Sequence, residues 1–479
     1  MSYSQQIQQA QIQQAQQPKL RPIQMPKQAY PLDSRPESAE DLLNLFSEIE
    51  TLESRSRMIL RSTPGAVVYQ QFGTGPVSAL ADLHGFLYMV SGDKAFRVIA
   101  DGTAMLLGTV LFVQSSTIAI GPTQVVICTP PNAYYAAHDG TLTQITGTSL
   151  PGFSSVAYLD GYFVFTVAGT GQFAVSKLLS ASVIDPLDFA SQQAMPDVVE
   201  RGVTHNGVYW LFGADVIEVW YDAGAADFPF RRQLGAEIYA GTTAPASIAR
   251  LDNGLCWLAR DNIVYHTQGF QAKRISTHAL EQTMKTYGDT TNAQGCSYTQ
   301  EGHQFYALTF PAANSGNGAT WVYDAATELW HRRSSFPSGV GRWRAQTAAQ
   351  FGQSAVIGDF GSGKVFFLAP NVATDDSTVM PRVAVFPPIT AAQARVFMHR
   401  LEIEMETGTG TTPDTLTVDW SDDGGTTFKP PRTLNVVPGS RVRPYTTVMG
   451  SFRERVLRLN ASGYMTVYAA DADMNVGVT

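Results

Sequence analysis

A glycine turn followed by an aromatic-rich strand recurs along most of this 479-residue chain. Successive turn glycines lie 76, 46, 47, 48 and 50 residues apart. They are Gly85, Gly161, Gly207, Gly254, Gly302 and the weaker Gly352. Repetition at roughly 40–50 residues, with several strands in each unit, is typical of a β-propeller, because a blade buries its apolar faces only against neighbouring blades. The predicted fold is therefore all-β, with a propeller as its main domain.

The first interval, of 76 residues, leaves the number of blades open, because it contains a degenerate copy of the repeat beginning at Thr123 (TQVVICT). Six copies are clear or plausible, so the pattern favours six blades and keeps seven as the alternative. One helix is predicted to interrupt the repeat after Ser276, where HALEQTMKTY places Leu280, Met284 and Tyr287 on one face.

The two ends of the chain differ from the repeat. Residues 1–43 form an extended arm rich in Gln and Pro, 44–370 the predicted propeller, and 371–479 a β-sandwich-like block of alternating apolar and polar residues. The arm is either a disordered polar tail or a segment that becomes ordered against a neighbouring subunit, since a short isolated helix is marginal in water. In the second case it is a partner-binding arm with these anchors: Ile7, Ile12, Leu20 and Ile23.

One local motif lies in the C-terminal block, where SDDGGTTF fits the Asp-box pattern. Its motif residues are Ser421, Asp423, Gly425, Thr427 and Phe428. The serine and aspartate of such a loop hydrogen-bond the turn backbone, and the aromatic ring packs on the sheet below. Asp boxes also occur in sialidases, but a single copy outside the repeats favours a structural fastener over a glycosidase site.

Composition argues against several kinds of site. The net charge of −8, from 41 acidic and 33 basic residues, does not favour a surface that grips DNA phosphates. Three cysteines without CxxC spacing support neither a disulfide framework nor a zinc site. No HExxH, GxSxG or GxxxxGK[ST] motif is present. We therefore predict a protein that is not an enzyme and has no catalytic residues, cofactor or metal.

The chain ends and the apolar stretches bear on where the protein is made and what it contacts. The sequence begins without a secretory signal, and its longest apolar stretch, 104–113, is too short for a membrane-spanning helix. Only 15% of the residues are charged, against roughly 25% in ordinary soluble proteins, which suits surfaces that a partner covers. A protein folded in the cytoplasm that associates with other copies of itself is the simplest interpretation.

Short segments along the chain occur in a characteristic order. They are NLFSE (44–48), LRSTPG (60–65), IDPLDFA (184–190), YWLFG with IEVW (209–220), IST (275–277) and HRLEIE (399–404). Together they resemble the packaged-DNA stabilisation proteins, or nozzle-like tail hubs, of short-tailed bacteriophages (podoviruses). The resemblance covers about residues 44–479; the Gln-rich arm departs from it.

The resemblance implies a structural virion protein of the tail that retains packaged DNA and forms part of the ejection channel. Its implied partners are itself, as a homohexamer, the portal and adaptor ring proteins, tail fibres or tailspikes, and a needle or plug protein. DNA would pass through without sequence-specific binding. The alternative is a host- or glycan-binding propeller, such as a tail-fibre or lectin-like module. Trp210, Trp257 and Trp330 do not occupy equivalent positions in the repeats, which argues against that alternative.

Overall fold

The computed structural model describes residues 20–30, 39–49, 58–83, 85–146, 149–225, 227–392, 394–407, 415–440 and 443–477. The chain divides into two compact units. One is Pro64–Thr378, and the other combines the segment that ends at Thr63 with the segment that begins at Val379.

The unit Pro64–Thr378 is a β-propeller, and its described residues form seven four-stranded antiparallel blades. The strands of each blade are given from the inner to the outer one. Blade 1 has Val77–Leu83, Phe86–Ser91, Lys94–Ile99 and Ala104–Thr109, and blade 2 has Thr117–Ile120, Gln124–Thr129, Asn132–Ala137 and Thr143–Gln144. Blade 3 has Phe153–Leu159, Tyr162–Val167, Gln172–Lys177 and Ser180–Ser191, and blade 4 has Val199–His205, Val208–Gly213, Ile217–Asp222 and Phe230–Arg232. Blade 5 has Ala249–Leu251, Gly254–Leu258, Val264–Gln268 and Gln271–Arg274. Blade 6 has Gln294–Gln300, His303–Phe310, Ala319–Asp324 and Leu329–Arg333. Blade 7 has Ala345–Phe351, Ser354–Asp359, Lys364–Ala369 and Gly65–Gln71.

The ring closes in blade 7, whose outer strand comes from the start of the unit. Gly65–Gln71 pairs antiparallel with Lys364–Ala369, and Val67 lies opposite Phe367. The short strands Thr374–Asp375 and Thr378–Val379 follow, and Asp375 pairs in parallel with Ala66. The first and last segments of the propeller are thus held in one sheet, so neither end leaves an open blade.

The recurrent glycines mark the hairpins between the first and second strands of the blades. Asp160 and Gly161 have φ of 48° and 93°, and Asn206 and Gly207 have φ of 50° and 72°. Positive φ at both central residues is the signature of the type I′ turn, which matches the twist of a two-stranded hairpin and favours Asn-Gly or Asp-Gly. The predicted propeller is confirmed, and the turn geometry explains its sequence period.

The favoured count of six blades was wrong, and the alternative of seven is what the structure has. The degenerate copy forms blade 2, whose first hairpin turns at Gly121, 36 residues after Gly85 and 40 before Gly161. There the Gly121 N–H donates to the Gln124 carbonyl at 2.8 Å, and two further residues separate the glycine from its strand. That strand, Gln124–Thr129, has no aromatic residue, so the copy lacks both parts of the motif.

The second strand of each blade is buried on both faces, which holds the ring together. In blade 4, Tyr209 packs with Phe173 of blade 3, whereas Trp210 on the opposite face packs into the cluster shared with blade 5. Phe212, on that same face, lies 5.6 Å from Trp257, centroid to centroid, in an edge-on contact. Because successive side chains of a strand point to opposite faces, one aromatic-rich strand fills two inter-blade cores.

The predicted helix is present as α1, His278–Lys285, between blades 5 and 6. The Thr277 hydroxyl caps it by accepting from the Leu280 N–H at 3.3 Å, and Leu280 and Met284 are buried. Short 3₁₀ turns occur at Pro245–Ser247 and Asn314–Gly316.

The second unit is a sandwich of two antiparallel sheets that share one apolar core. In pairing order, one sheet has Leu45–Ile49, Met58–Ser62, Thr466–Val476, Val396–Met405 and Tyr445–Phe452, with Leu20–Pro22 also paired to Thr466–Val476. The other has Asp41–Leu43, Pro381–Val385, Glu454–Ser462, Thr415–Ser421 and Arg432–Thr433, with Ile389–Thr390 also paired to Glu454–Ser462.

The boundaries of the two units differ from the predicted division at residues 43/44 and 370/371. Residues 44–63 belong to the sandwich, where Leu45 and Leu60 are fully buried in the core and Leu60 pairs with Val467. The propeller itself begins at Pro64 and continues to Thr378. The sandwich is therefore assembled from both ends of the chain, a pairing across some 400 residues that local sequence patterns do not reveal.

Candidate functional site

The first strands of all seven blades surround an axial cavity of about 510 Å³. Small side chains such as Ala79, Ala119 and Ala348, together with Gly202 and Gly295, line much of it, which leaves room between the strands. The rest of the lining is mainly polar. The Ser78 and Ser116 hydroxyls are hydrogen-bonded at 2.7 Å, and the Gln346 amide donates to the Gln114 carbonyl at 2.5 Å. The charged residues of the lining are Asp82, Arg201 and Arg250.

The Asp-box loop joins Thr415–Ser421 to Arg432–Thr433 in the sandwich. The Asp423 carboxylate accepts hydrogen bonds from the Thr426 and Thr427 N–H groups at 3.0 and 2.9 Å and from the Thr427 hydroxyl at 2.5 Å. The Ser421 hydroxyl donates to Asp423 at 2.5 Å and accepts from the Gly425 N–H at 2.8 Å. All these partners lie inside the loop, so its polar groups serve the turn.

Two arginines, one half-buried and one buried, contact the aromatic and acidic residues beside the motif. The Arg458 guanidinium lies 3.8 Å from the centroid of the half-buried Phe428 ring and forms a two-pronged contact with Asp419 at 2.9 and 2.6 Å. Arg455, which is 1% exposed, contacts Asp422 at 2.7 and 3.1 Å. Burial opposes ionisation of Asp422, but hydrogen bonds from Arg455 and then Lys429 outweigh it and lower its pKa.

Asp423→Asn is expected to lower the melting temperature of the sandwich at neutral pH. Hydrogen bonds from Ser421 and then Thr427 hold the pKa of Asp423 well below its ordinary value of 3.8. Because the folded pKa is depressed, the stabilisation is present above pH 3.8 and is lost as the pH falls towards the folded pKa. Thermal unfolding at pH 7 and at acid pH should therefore show a difference between the two proteins that shrinks on acidification.

Thr426→Ala is the control for this substitution, because it keeps the backbone donor to Asp423 and removes only an exposed side chain. It should melt like the wild type. A melting temperature of Asp423→Asn equal to that of wild type at pH 7 would show that the loop does not depend on the carboxylate.

The described part of the N-terminal arm lies on the sandwich of its own chain. Ile23 is 7% exposed in the sandwich core, and its N–H donates to the Ala470 carbonyl at 2.8 Å. Leu20 is half-buried and lies opposite Asp473 of the strand Thr466–Val476. Ile23 thus lies in the core of its own chain, whereas a contact between the arm and a neighbouring subunit stays a prediction. The other two predicted anchors, Ile7 and Ile12, lie outside the described residues.

An exposed apolar edge on blade 3 was not singled out from the sequence. Its outer strand, Ser180–Ser191, is twelve residues long, the longest strand of the described propeller. We define the blade 3 edge by its exposed side chains: Leu178, Leu179, Val183, Leu187 and Phe189. Leu187 is 83% exposed. An edge strand that exposes several large apolar side chains is typical of protein–protein contact surfaces. The sequence feature that could have revealed this edge is the high density of large apolar residues beside the IDPLDFA segment.

The three cysteines are buried as free thiols in the propeller, at Cys128, Cys256 and Cys296. Burial raises the pKa of Cys128 and of Cys296 to about 12, so both are protonated at neutral pH. Among the described residues, no group of three or more His, Cys, Asp or Glu side chains is placed to hold a metal ion. Nor does the described part of the chain contain a helix that is long and apolar enough to cross a membrane.

Seven antiparallel blades around an axial cavity define a β-propeller protein. Residues 39–373, more than two thirds of the chain, match the phage stabilisation family described as "Bacteriophage P22 Gp10, beta-propeller". The chain belongs to this family, the packaged-DNA stabilisation proteins of short-tailed phages, and it is a bacteriophage structural protein and a component of the virion. The resemblance to this family, which was inferred from the order of the short segments along the sequence, is confirmed.

Three solved structures show weak similarity to the chain. The chain is 11% identical to PorZ of the Porphyromonas gingivalis type-IX secretion system, with 64% of this chain and 38% of PorZ covered and a TM-score of 0.40. It is 10% identical to BamB from Moraxella catarrhalis (73% and 97% covered, TM-score 0.40). It is also 10% identical to the Neurospora crassa Pan2 WD40 domain (67% and 97% covered, TM-score 0.41). No curated protein matches the sequence.

Proposed function

We propose that this protein is the tail hub of a short-tailed bacteriophage: a homohexamer that retains the packaged DNA and forms part of the channel through which the DNA leaves. Membership of the packaged-DNA stabilisation family over residues 39–373 carries the proposal. In this arrangement the hub lies below the portal and adaptor rings. It also contacts tail fibres or tailspikes and a needle or plug protein.

The blade 3 edge supports assembly with a second copy of the chain. Leu187 and Val183 are 83% and 54% exposed on the outer strand of the blade, where the strand's second hydrogen-bonding side is unpaired in the described structure. Exposure of several large apolar side chains on one strand is unfavourable in water. Covering them stabilises an assembly by about 25 cal/mol for each Å² of apolar surface that is buried. We assign this edge to the contact between neighbouring subunits of the ring.

The charge of the chain suits a passage for DNA. With a net charge of −8 per subunit, a hexamer repels the phosphate backbone instead of releasing its counterions. A duplex then moves along the hub without being held by it. This is the behaviour that ejection requires, and it leaves closure of the channel to the needle or plug protein.

The tryptophans support the structural role over a glycan-binding one. All seven lie among the described residues, and none is more than 6% exposed. A lectin-like propeller would present Trp210, Trp257 and Trp330 to sugars. Trp210 and Trp257 instead lie in the core between blades 4 and 5, and Trp330 is 1% exposed, with its indole N–H donating to the Ile275 carbonyl at 2.8 Å. In the described structure the tryptophans of the repeats therefore pack in the core and are not presented to a ligand.

Particles assembled without this protein should fill with DNA and then lose it. Because the hub is proposed to seal the portal side, DNA in such particles should become accessible to added nuclease, and infectivity should fall by several orders of magnitude. Adding purified protein should restore both properties. Particles that lack the protein and still keep a nuclease-resistant genome would contradict the proposal.

A further inference from the structure

Two arginine side chains reach the axial cavity from neighbouring blades. Arg201 lies in the first strand of blade 4, Val199–His205, and Arg250 lies in the first strand of blade 5, Ala249–Leu251. Both line the cavity of about 510 Å³. The role of a tail hub does not call on this cavity, since the DNA channel of a ring of subunits lies outside the individual propellers.

Neither arginine is ion-paired within the described part of the chain. One nitrogen of Arg201 donates to the Pro245 carbonyl at 3.0 Å, and one nitrogen of Arg250 donates to the Thr204 carbonyl at 2.7 Å. The Nε–H of Arg201 is buried and has no hydrogen-bond partner in the described structure. Since a guanidinium has five N–H donors, these contacts leave most of the donors available to a ligand.

Other arginines of the protein show the contrast. Arg260, on the connection after the second strand of blade 5, contacts Asp215 at 2.6 Å. In the sandwich, Arg443 contacts Asp471 at 2.9 Å. The chain thus pairs arginines with carboxylates at several exposed and half-buried positions, whereas neither arginine of the cavity is paired with a carboxylate in the described structure.

The electrostatics of the cavity favour an anion. Burial lowers the pKa of Arg201 to about 10, and the nearby charge of Arg250 acts in the same direction. Burial also lowers the pKa of Arg250. Both side chains remain charged at neutral pH, so two positive charges from neighbouring blades line the cavity. Asp82, the carboxylate of the lining, comes from blade 1, which lies across the ring of seven from blades 4 and 5.

We propose that the axial cavity binds a phosphate group, with Arg201 and Arg250 holding its oxygens from two sides. The planar N–H donors of a guanidinium match the geometry of phosphate oxygens. Two guanidinium groups together neutralise the two negative charges of a phosphate dianion, whereas a single carboxylate carries only one negative charge. The cavity is large enough for inorganic phosphate and for a small phosphorylated molecule such as a nucleoside monophosphate. The chain outside the cavity is acidic, so the site is local and not part of a general affinity for anions.

The test is isothermal titration calorimetry of the full-length protein with inorganic phosphate and, separately, with a nucleoside monophosphate. Saturable binding of either probe, one per subunit, is expected, and the tighter probe identifies free phosphate or a phosphorylated molecule as the source. Arg250→Gln should weaken binding by about tenfold to a hundredfold, because it removes charge-assisted hydrogen bonds. Arg260→Gln, with the same loss of charge outside the cavity, should bind like wild type.

Three results would overturn the proposal. They are the absence of saturable binding of both probes, unchanged affinity in Arg250→Gln, and equal weakening in Arg260→Gln. Should Arg250→Gln fail to fold, as judged by its melting curve, Arg250→Lys replaces it. That variant keeps the charge and removes the fork, so it should bind about tenfold more weakly, and wild-type affinity would contradict the site.

Discussion

Trp257→Ala should lower the free energy of unfolding of the propeller by about 3–5 kcal/mol, the usual cost of removing a large aromatic side chain from a core. Trp257 is fully buried between blades 4 and 5. Its ring packs edge-on against Phe212 and stacks on Tyr265, and its indole N–H donates to the Ala240 carbonyl at 2.8 Å. The substitution removes contacts with blade 4 and with the neighbouring strand of blade 5, and it leaves that carbonyl without its donor. Urea unfolding followed by far-ultraviolet circular dichroism measures the loss.

Tyr239→Ala is the matched control, because Tyr239 lies one residue from Ala240 and is 71% exposed. It should change stability by about 0.5 kcal/mol or less, as surface substitutions commonly do. A loss below about 1 kcal/mol in Trp257→Ala would be inconsistent with a tightly packed inter-blade core.

Leu187→Asp should dissociate the assembled protein, weakening subunit association by at least thirtyfold, about 2 kcal/mol. Leu187 is the most exposed large apolar residue of the blade 3 edge, at 83%. In the proposed ring this side chain is covered by a neighbouring subunit, so the variant would bury an unpaired carboxylate. Because the residue is exposed in a single chain, the melting temperature of the isolated subunit should not change. Sedimentation velocity over a range of protein concentrations separates the two effects.

Leu234→Asp makes the same change at a leucine that is 75% exposed but lies outside the blade 3 edge. It should assemble like wild type. If Leu187→Asp assembles as well as Leu234→Asp does, the subunit contact lies elsewhere on the molecule.

The propeller could be predicted from the sequence because its turns impose residue types. A type I′ hairpin turn requires positive φ, and Asn206–Gly207 satisfies it with residues that stand out in any sequence. The same logic explains the miscount of blades. The Gly121 hairpin of blade 2 uses a longer turn, so it lacks the Asn-Gly or Asp-Gly dipeptide. The strand that follows also lacks aromatic residues, so the sequence shows neither part of the motif at this blade.

The sandwich boundary could not be predicted in this way, because β-pairing between distant segments leaves no local mark. Leu60 and Val467 lie in segments rich in apolar residues, and nothing in either segment specifies its partner strand. The arginines of the axial cavity were missed for a similar reason. Arg201 and Arg250 lie in different repeats, and only the ring places them side by side.

The proposed ring of identical subunits is tested most directly by the mass of the purified wild-type protein in solution. Native mass spectrometry, or sedimentation velocity at micromolar concentration, should give a species six times the 52.0 kDa subunit. Negative-stain images of the same sample should show a ring with a central opening. A single species of subunit mass at every concentration, with no ring in the images, would contradict the proposed ring.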